Sequence, residues 1–178
     1  MSWVRIVRTR RIEALRRAFE ETMQDPLLRH INGFLLAMVD DDACRAWNDE
    51  WAPTEDRPHQ DGGWDWPAIH GQTQYKKAKF CIALWHGKTT LSGLTLVSVA
   101  RRAVRIEIVE GNPRSNHPLK GSVLPILLDT VARFGQQLGR AELRLMNPVK
   151  GMVRVYCEVY NFELVALPKG RRMCRREI

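Results

Sequence analysis

The chain of 178 residues is 44% hydrophobic and 27% charged, which is typical of a globular protein and argues against a disordered one. Its apolar runs are far shorter than the roughly 20 residues that cross a bilayer, and no signal-peptide pattern opens the chain, so we expect a cytoplasmic protein without a membrane span. A net charge of +8 suits partners such as RNA or the phosphates of a cofactor.

The length suits one domain, residues 1–178, with a core that needs no metal or disulfide. The four cysteines are widely spaced and contain no CxxC pair. The five histidines show no ligand spacing. We therefore predict reduced thiols and no metal site.

The first forty residues predict one strand and two helices. The alternation of apolar and charged residues in Val4–Arg8 predicts the strand, and apolar residues at helical spacing predict a helix over 11–23. Asp25 followed by Pro26 is typical of a capped helix start, and the apolar pattern predicts that this second helix runs to Met38.

Residues 40–72 form an acidic segment rich in tryptophan. Between residues 40 and 65 there are nine acidic residues and two basic ones. We predict a helix near the first tryptophan and a long loop beyond it, either an insertion or a substrate loop. Carboxylates among aromatic rings suit a cationic substrate, whereas the alternative is an acidic surface loop whose tryptophans are core. The tryptophans concerned are Trp47, Trp51, Trp64 and Trp66.

The second half of the chain predicts a meander followed by alternating helices and strands. The three antiparallel strands of the meander are expected at 78–85, 91–99 and 103–109. The later elements are a helix at 122–138, a strand at 143–146, a helix at 152–160, a strand at 162–167 and a basic tail at 168–178.

The loop between the third meander strand and the next helix carries the clearest functional motif. Lys120, Gly121 and Ser122 lead directly into the helix. The first N–H groups of a helix have no internal partner and carry partial positive charge, so they favour anions. The backbone amides of residues 121–124, with the Lys120 ammonium beside them, are therefore candidates for holding a phosphate. An ordinary connection whose glycine only permits a turn is the alternative.

This order of elements, with the Lys120–Ser122 loop and the Asn161–Phe162 ending, resembles the GCN5-related N-acetyltransferase (GNAT) superfamily. The resemblance implies an α/β (α+β) fold with a mixed, mostly antiparallel central sheet flanked by helices. It also implies an acetyl-CoA-dependent N-acetyltransferase acting on an amine. Pro118 and Val123 depart from the family's loop pattern. The cofactor-binding residues that the resemblance implies are Ile108, Val109, His117, Lys120, Gly121, Ser122, Val123 and Leu124.

The resemblance also implies catalytic residues. The family's last helix carries a tyrosine near the thiol of coenzyme A; counting back from Phe162, Cys157 takes that position. We expect Tyr156 to be the general acid if the helix is re-phased by one residue, with a structural tyrosine as the alternative. Glu107 and Glu110 are the candidate general bases, with a solvated strand position as the alternative for Glu107.

The acceptor remains open at this stage. The four tryptophans and the acidic segment suit an amine that is itself cationic. A second hypothesis takes aminoacyl-tRNA as the acceptor, held by the basic residues of the first helix and the tail. A third is a catalytically eroded binding or regulatory protein. The sequence also leaves room for a homodimer.

Overall fold

The computed structural model describes residues 3–54, 62–73 and 78–178, with side chains described from residue 9 onward. Within these residues seven strands form one sheet in the order β1-β2-β3-β4-β5-β7-β6, in which β4 and β5 are parallel and all other neighbours antiparallel. The predicted mixed, mostly antiparallel sheet is confirmed. The strands are β1 (Phe34–Met38), β2 (Lys79–His86), β3 (Thr90–Val99), β4 (Ala103–Gly111), β5 (Glu142–Met146), β6 (Glu163–Ala166) and β7 (Arg172–Glu177).

The described residues also form five α-helices, which pack on this sheet. They are α1 (Trp3–Met23), α2 (Asp41–Ala46), α3 (Trp66–Thr73), α4 (Val123–Gln137) and α5 (Val153–Glu158). A π-helical turn, Trp47–Trp51, continues α2. None of the described helices combines the length and the apolar character needed to cross a membrane.

The predicted strand at Val4–Arg8 is wrong, because these residues belong to α1. The helix has no glycine or proline from residue 3 to residue 23, so it can extend toward the amino terminus by one hydrogen bond per residue. The ion pairs Arg16–Glu20 (2.5 Å) and Glu13–Arg17 (2.9 Å) add support at i,i+4 spacing. An alternation over only five residues does not predict a strand reliably when the residues that follow it form a helix.

The predicted second helix is also wrong. Asp25 does cap a helix, since its side chain accepts from the Leu27 N–H, but this is a single 3₁₀ turn that ends at Leu28. Gly33 then adopts a left-handed conformation (φ 73°), which breaks the helical path. The apolar run after it forms β1 and pairs with β2, because a short apolar run fits a strand as well as a helix.

Helices cover both faces of the sheet, and each face has its own core. On one face α1 and α4 pack on β2 to β5, with Ile126, Leu127 and Phe134 buried in the centre. On the opposite face α2, the π turn and α3 bury three tryptophans against β2 and β3. We call these the α4 face and the tryptophan face.

Part of the predicted basic tail is a strand. Residues 172–177 form β7, which enters between β5 and β6 and buries Met173 and Cys174. The basic residues of β7 point to both faces of the sheet, because successive side chains of a strand alternate. Arg175 pairs with Glu163 (2.9 Å), whereas Arg176, on the same face as Cys174, lies 5.0 Å from the centre of the buried Phe162 ring.

Candidate active site

A gap opens between the two parallel strands at the centre of the sheet. Strand β4 pairs with β5 only from Ala103 to Ile106, which lie opposite Glu142 to Leu145. Strand β4 then continues to Gly111 with β3 on one side and no described strand on the other. The backbone of residues 107–111 therefore has one edge to which an extended ligand could hydrogen-bond.

A β-bulge lies where the gap begins. Leu96 pairs with Ile108 and Val97 with Ile106, so Glu107 is an extra residue on β4. Ile106 is buried on the α4 face, whereas Ile108 packs on the tryptophan face. In a regular strand side chains three apart point to opposite faces. The bulge changes this phase and brings both predicted bases, Glu107 and Glu110, to the tryptophan face.

The two carboxylates have different surroundings. Glu107 is half-buried, and its Oε1 accepts a hydrogen bond of 2.5 Å from the Ser98 hydroxyl. Its Oε2 accepts no hydrogen bond from the described residues. Glu110 is buried, and both of its oxygens accept: Oε1 from the Gly63 N–H (2.9 Å) and Oε2 from the Trp66 indole (2.6 Å).

The first turn of α4 has free backbone donors. Ser122 makes no side-chain cap, and the first turn contains no acidic residue. In the described part of the chain, the N–H groups of Gly121, Val123 and Leu124 donate to no acceptor. Gly121 is left-handed (φ 81°), a conformation that side chains disfavour. This arrangement, which we call the amide cradle, has the donors and the sign of charge for a phosphate.

Val123, a departure from the family's loop pattern, has a structural explanation. Its side chain is buried and lies over two glycines, Gly93 of β3 and Gly111 of β4, which are paired in register. A Cβ atom at Gly93 would lie 2.5 Å from Val123 Cγ1. The valine side chain therefore occupies space above the sheet that the two glycines leave, while its N–H stays in the amide cradle.

The loop before α4 holds the remaining predicted cofactor residues. Leu119 is buried and fixes the loop, whereas Lys120 is exposed beside the amide cradle. His117 is half-buried, and its Nδ1 has no hydrogen-bond partner among the described residues. Burial, and then the charge of Lys120, lowers the pKa of His117, which favours the neutral imidazole. On β4, Ile108 packs toward the tryptophan face and Val109 toward the α4 face.

The end of α5 contains one residue more than a regular helix end. The Phe162 N–H donates to the Tyr156 carbonyl (3.0 Å), six residues back, where the usual motif spans five. Asn161 provides the left-handed residue (φ 55°). The extra residue changes the phase of α5 relative to Phe162, which is the shift that the predicted role of Tyr156 requires, and that role stays a prediction.

Tyr156 lies in the core of the α4 face. Its ring meets Phe162 edge to face, with centroids 6.4 Å apart. Burial, and then the nearby Cys174 and Tyr160, raises the pKa of Tyr156 to about 12. Cys174 of β7 lies opposite Leu145 of β5, which in turn lies opposite Ile106 of β4, the last pair before the gap opens. Tyr156 and Glu107 are therefore near the same end of the gap on opposite faces of the sheet.

The four tryptophans differ in exposure. Trp47, Trp51 and Trp66 are buried in the core of the tryptophan face, and the Trp51 indole donates to the Leu91 carbonyl (3.3 Å). Their rings are not accessible to an acceptor in this structure. Trp64 is 44% exposed, and its contact with a substrate stays a prediction. Residues 55–61 of the acidic segment lie outside the described residues.

A groove elsewhere on the surface is a second candidate for the site. A groove of about 750 Å³ lies beside the second half of α4 and the end of β7, and residues of β4 and of the amide cradle are absent from its lining. Several of its charged groups pair with one another, as Arg133 does with Asp129 (2.7 Å) and Arg175 with Glu163 (2.9 Å). We therefore assign the candidate site to the gap, where free donors and carboxylates meet.

Arg16 and Arg17, part of the basic surface considered for RNA, are paired with glutamates; RNA binding stays a prediction.

By sequence, no family model and no curated protein matches the chain. Solved structures of acetyltransferases do match its fold. An acetyltransferase from Thermus thermophilus aligns with a TM-score of 0.58 at 13% identity, covering 83% of this chain and 99% of that one. The PaiA N-acetyltransferase from Thermoplasma acidophilum, in complex with coenzyme A, aligns with a TM-score of 0.55 at 10% identity, covering 82% and 99%. A spermidine N-acetyltransferase from Vibrio cholerae aligns with a TM-score of 0.55 at 13% identity, covering 82% and 93%.

The chain has the GNAT fold. The sequence predicted the amide cradle and both carboxylates of this GNAT-fold protein as site residues, and their roles stay predictions. It missed Ser98, Gly93 and the docking of Gly63 on β4. A serine and a glycine inside apolar strands give no signal until the register of β3 and β4 is known.

Proposed function

We propose that the protein is an acetyl-CoA-dependent N-acetyltransferase that acts on an amine. The observation that carries the proposal is the gap between β4 and β5, which adjoins both the amide cradle and Glu107 Oε2, an oxygen that accepts no hydrogen bond within the described ranges. The GNAT fold supports it, since the matching structures are acetyltransferases and one of them contains coenzyme A.

The chain's own residues fit acetyl-CoA. The N–H groups of Gly121, Val123 and Leu124 would bind the pyrophosphate, with Lys120 supplying charge at the rim. The free edge of β4, from Ile108 to Val109, would hydrogen-bond the extended pantetheine arm. Ser122 and His117 lie in the loop that leads from β4 to the amide cradle. Bound acetyl-CoA would supply an acetyl group activated as a thioester.

Glu107 is the residue we assign as the general base. An ammonium must lose a proton before its nitrogen can attack, and Glu107 Oε2 accepts no hydrogen bond from the described residues. The Ser98 hydroxyl would hold Oε1 and so fix the orientation of the carboxylate. Glu107 would take one proton from the ammonium and pass it to water, so that the neutral amine can attack the acetyl carbon. As the nitrogen–carbon bond forms and the carbon–sulfur bond breaks, the nitrogen would lose its second proton to the same carboxylate and the sulfur would leave as a thiolate.

Tyr156 is the residue we assign to the leaving sulfur. A phenol with a pKa of about 12 stays protonated at neutral pH. A thiolate whose conjugate acid has an ordinary pKa near ~8.5 is a weaker base than this phenolate, so full proton transfer from the tyrosine is uphill. The Tyr156 hydroxyl would therefore stabilise the thiolate by donating a hydrogen bond, and water would complete its protonation.

A cationic amine is the acceptor class we propose. The carboxylates of Asp40, Asp41 and Asp65 lie near Cys44, which packs on the core of the tryptophan face; burial, and then these charges, raise the pKa of its thiol. The likeness to a spermidine N-acetyltransferase supports the same class.

A two-stage experiment tests the proposal. Acetyl-CoA should raise the melting temperature of the protein, and an unmoved melting temperature at millimolar acetyl-CoA would refute acetyl-CoA binding. Acetylation of spermidine should then be followed by mass spectrometry, because the chain's own cysteines would react with a thiol reagent. Glu107→Gln should lower the rate about 100-fold or more, while Glu177→Gln, an exposed carboxylate on β7, should leave it unchanged.

A further inference from the structure

Residues 62–66 are tied to the end of β4 at two points. The Gly63 N–H donates to Glu110 Oε1 (2.9 Å) and the Trp66 indole donates to Glu110 Oε2 (2.6 Å). The carboxylate that accepts both bonds is 8% exposed. Hydrogen bonds to a buried ionised group are stronger than those between neutral groups, so this contact holds two segments that are far apart in sequence.

The contact lies at the open end of the gap. Glu110 comes four residues after Ile106, the last residue of β4 that pairs with β5, and it points to the same face as Glu107. Between the two points of attachment stands Trp64, which is 44% exposed. Asp65 follows it and caps α3 by accepting from the Ala68 N–H (2.9 Å).

These contacts separate the roles of the two glutamates. A general base needs an oxygen within reach of the proton it takes. In Glu110 each oxygen accepts a bond from the 62–66 segment, so the carboxylate would have to break one of them to act as a base. Glu107 has an oxygen without such a bond.

We propose that Glu110 is a positioning residue, not the base: its carboxylate docks residues 62–66 on the end of β4 and so holds Trp64 and Asp65 on the tryptophan face of the gap, where the acceptor would enter. The acceptor half of this inference rests on the proposed function. The aromatic face of Trp64 and the Asp65 carboxylate are the groups that attract a cationic amine. Loss of the Glu110 contact should therefore weaken acceptor binding and spare both acetyl-CoA binding and the chemical step.

The docking is tested first, without any need for activity. Amide hydrogen exchange of peptides covering residues 62–73 should be at least about tenfold faster in Glu110→Ala, because two bonds to an ionised group are lost. Trp66→Phe removes the indole donor together with part of a fully buried ring, so it should also speed exchange in the same peptides. Glu177→Gln should give none. Unchanged exchange in both Glu110→Ala and Trp66→Phe would overturn the docking.

The acceptor role is tested by kinetics with spermidine. Glu110→Gln should raise the KM for spermidine about fivefold or more and leave kcat within about twofold, since the interaction lost is made equally in the ground state and the transition state. A fall in kcat at constant KM would instead identify Glu110 as the base. Absence of turnover by the wild-type protein with every amine tested would refute the proposed function and the acceptor role with it, while hydrogen exchange would still decide the docking.

Discussion

The close approach of α4 to the sheet gives the sharpest structural prediction. In Gly93→Ala the new Cβ atom would lie 2.5 Å from Val123 Cγ1 and 3.3 Å from Leu127 Cδ1. Carbon atoms normally approach to about 3.5–4.0 Å, so the start of α4 must move by about 1 Å or Val123 must leave its rotamer. A β-branched side chain in a helix has little rotamer freedom. We expect a loss of about 1–3 kcal/mol in the free energy of unfolding.

The same shift should weaken acetyl-CoA binding, because the N–H groups of Val123 and Leu124 form the amide cradle. Hydrogen bonds to a charged group contribute roughly 1.5–3 kcal/mol each, so partial loss of this geometry should reduce the affinity about tenfold. Urea denaturation measures the stability and calorimetric titration the affinity.

Two further variants make this prediction specific. Gly111→Ala is the matched control, because a Cβ atom there would meet Val123 at an ordinary 3.8 Å. Val123→Ala combined with Gly93→Ala should recover about 1–3 kcal/mol relative to the sum of the two single changes, since the methyl groups that clash are gone. Additive losses, or equal effects of Gly93→Ala and Gly111→Ala, would refute the close-contact argument.

Three other expectations follow from the structure. Gly135→Ala should lower the free energy of unfolding in urea by about 1–3 kcal/mol, because its Cβ atom would lie 2.8 Å from Cγ2 of the buried Val104, whereas Gly71→Ala, with nothing within 4 Å, should raise it; the reverse order would contradict the packing of α4. His117, whose pKa is lowered from 6.5, should bind phosphate better when protonated, so acetyl-CoA affinity should rise as the pH falls from about 8 to about 6, and His117→Gln should flatten that rise in a calorimetric series. Tyr156→Phe should lower kcat about tenfold with little change in the acceptor KM, and an unchanged kcat would assign the tyrosine a purely structural role.

Much of the fold could be predicted where a long segment of regular apolar periodicity is bounded by turn residues. The meander and α4 were predicted because strong apolar periodicity is bounded by turn residues, as at His86–Lys88 and Gly139. The errors at Val4–Arg8 and at Phe34–Met38 arose where five residues could satisfy either period. Whether such a segment forms a helix or a strand depends on the helix that it continues or on the strand with which it pairs, and neither can be read from the segment itself.

The candidate site shows the same division. Gly121 and the cradle amides follow from sequence because a glycine before an apolar helix has a local meaning. The shared face of Glu107 and Glu110 does not, because it depends on a β-bulge that only the pairing of β3 with β4 reveals. The place of Tyr156 likewise depends on one extra residue at the end of α5, which the count from Phe162 could not include.

We propose that acetyl-CoA binds in the gap, with its phosphates on the amide cradle. Titration of the isotope-labelled protein with acetyl-CoA, followed by backbone amide chemical shifts, locates this binding residue by residue. We expect saturable shifts that are largest at Gly121, Val123, Leu124 and residues 107–111. No shifts at millimolar acetyl-CoA, or the largest shifts in the groove beside Arg133, would contradict it.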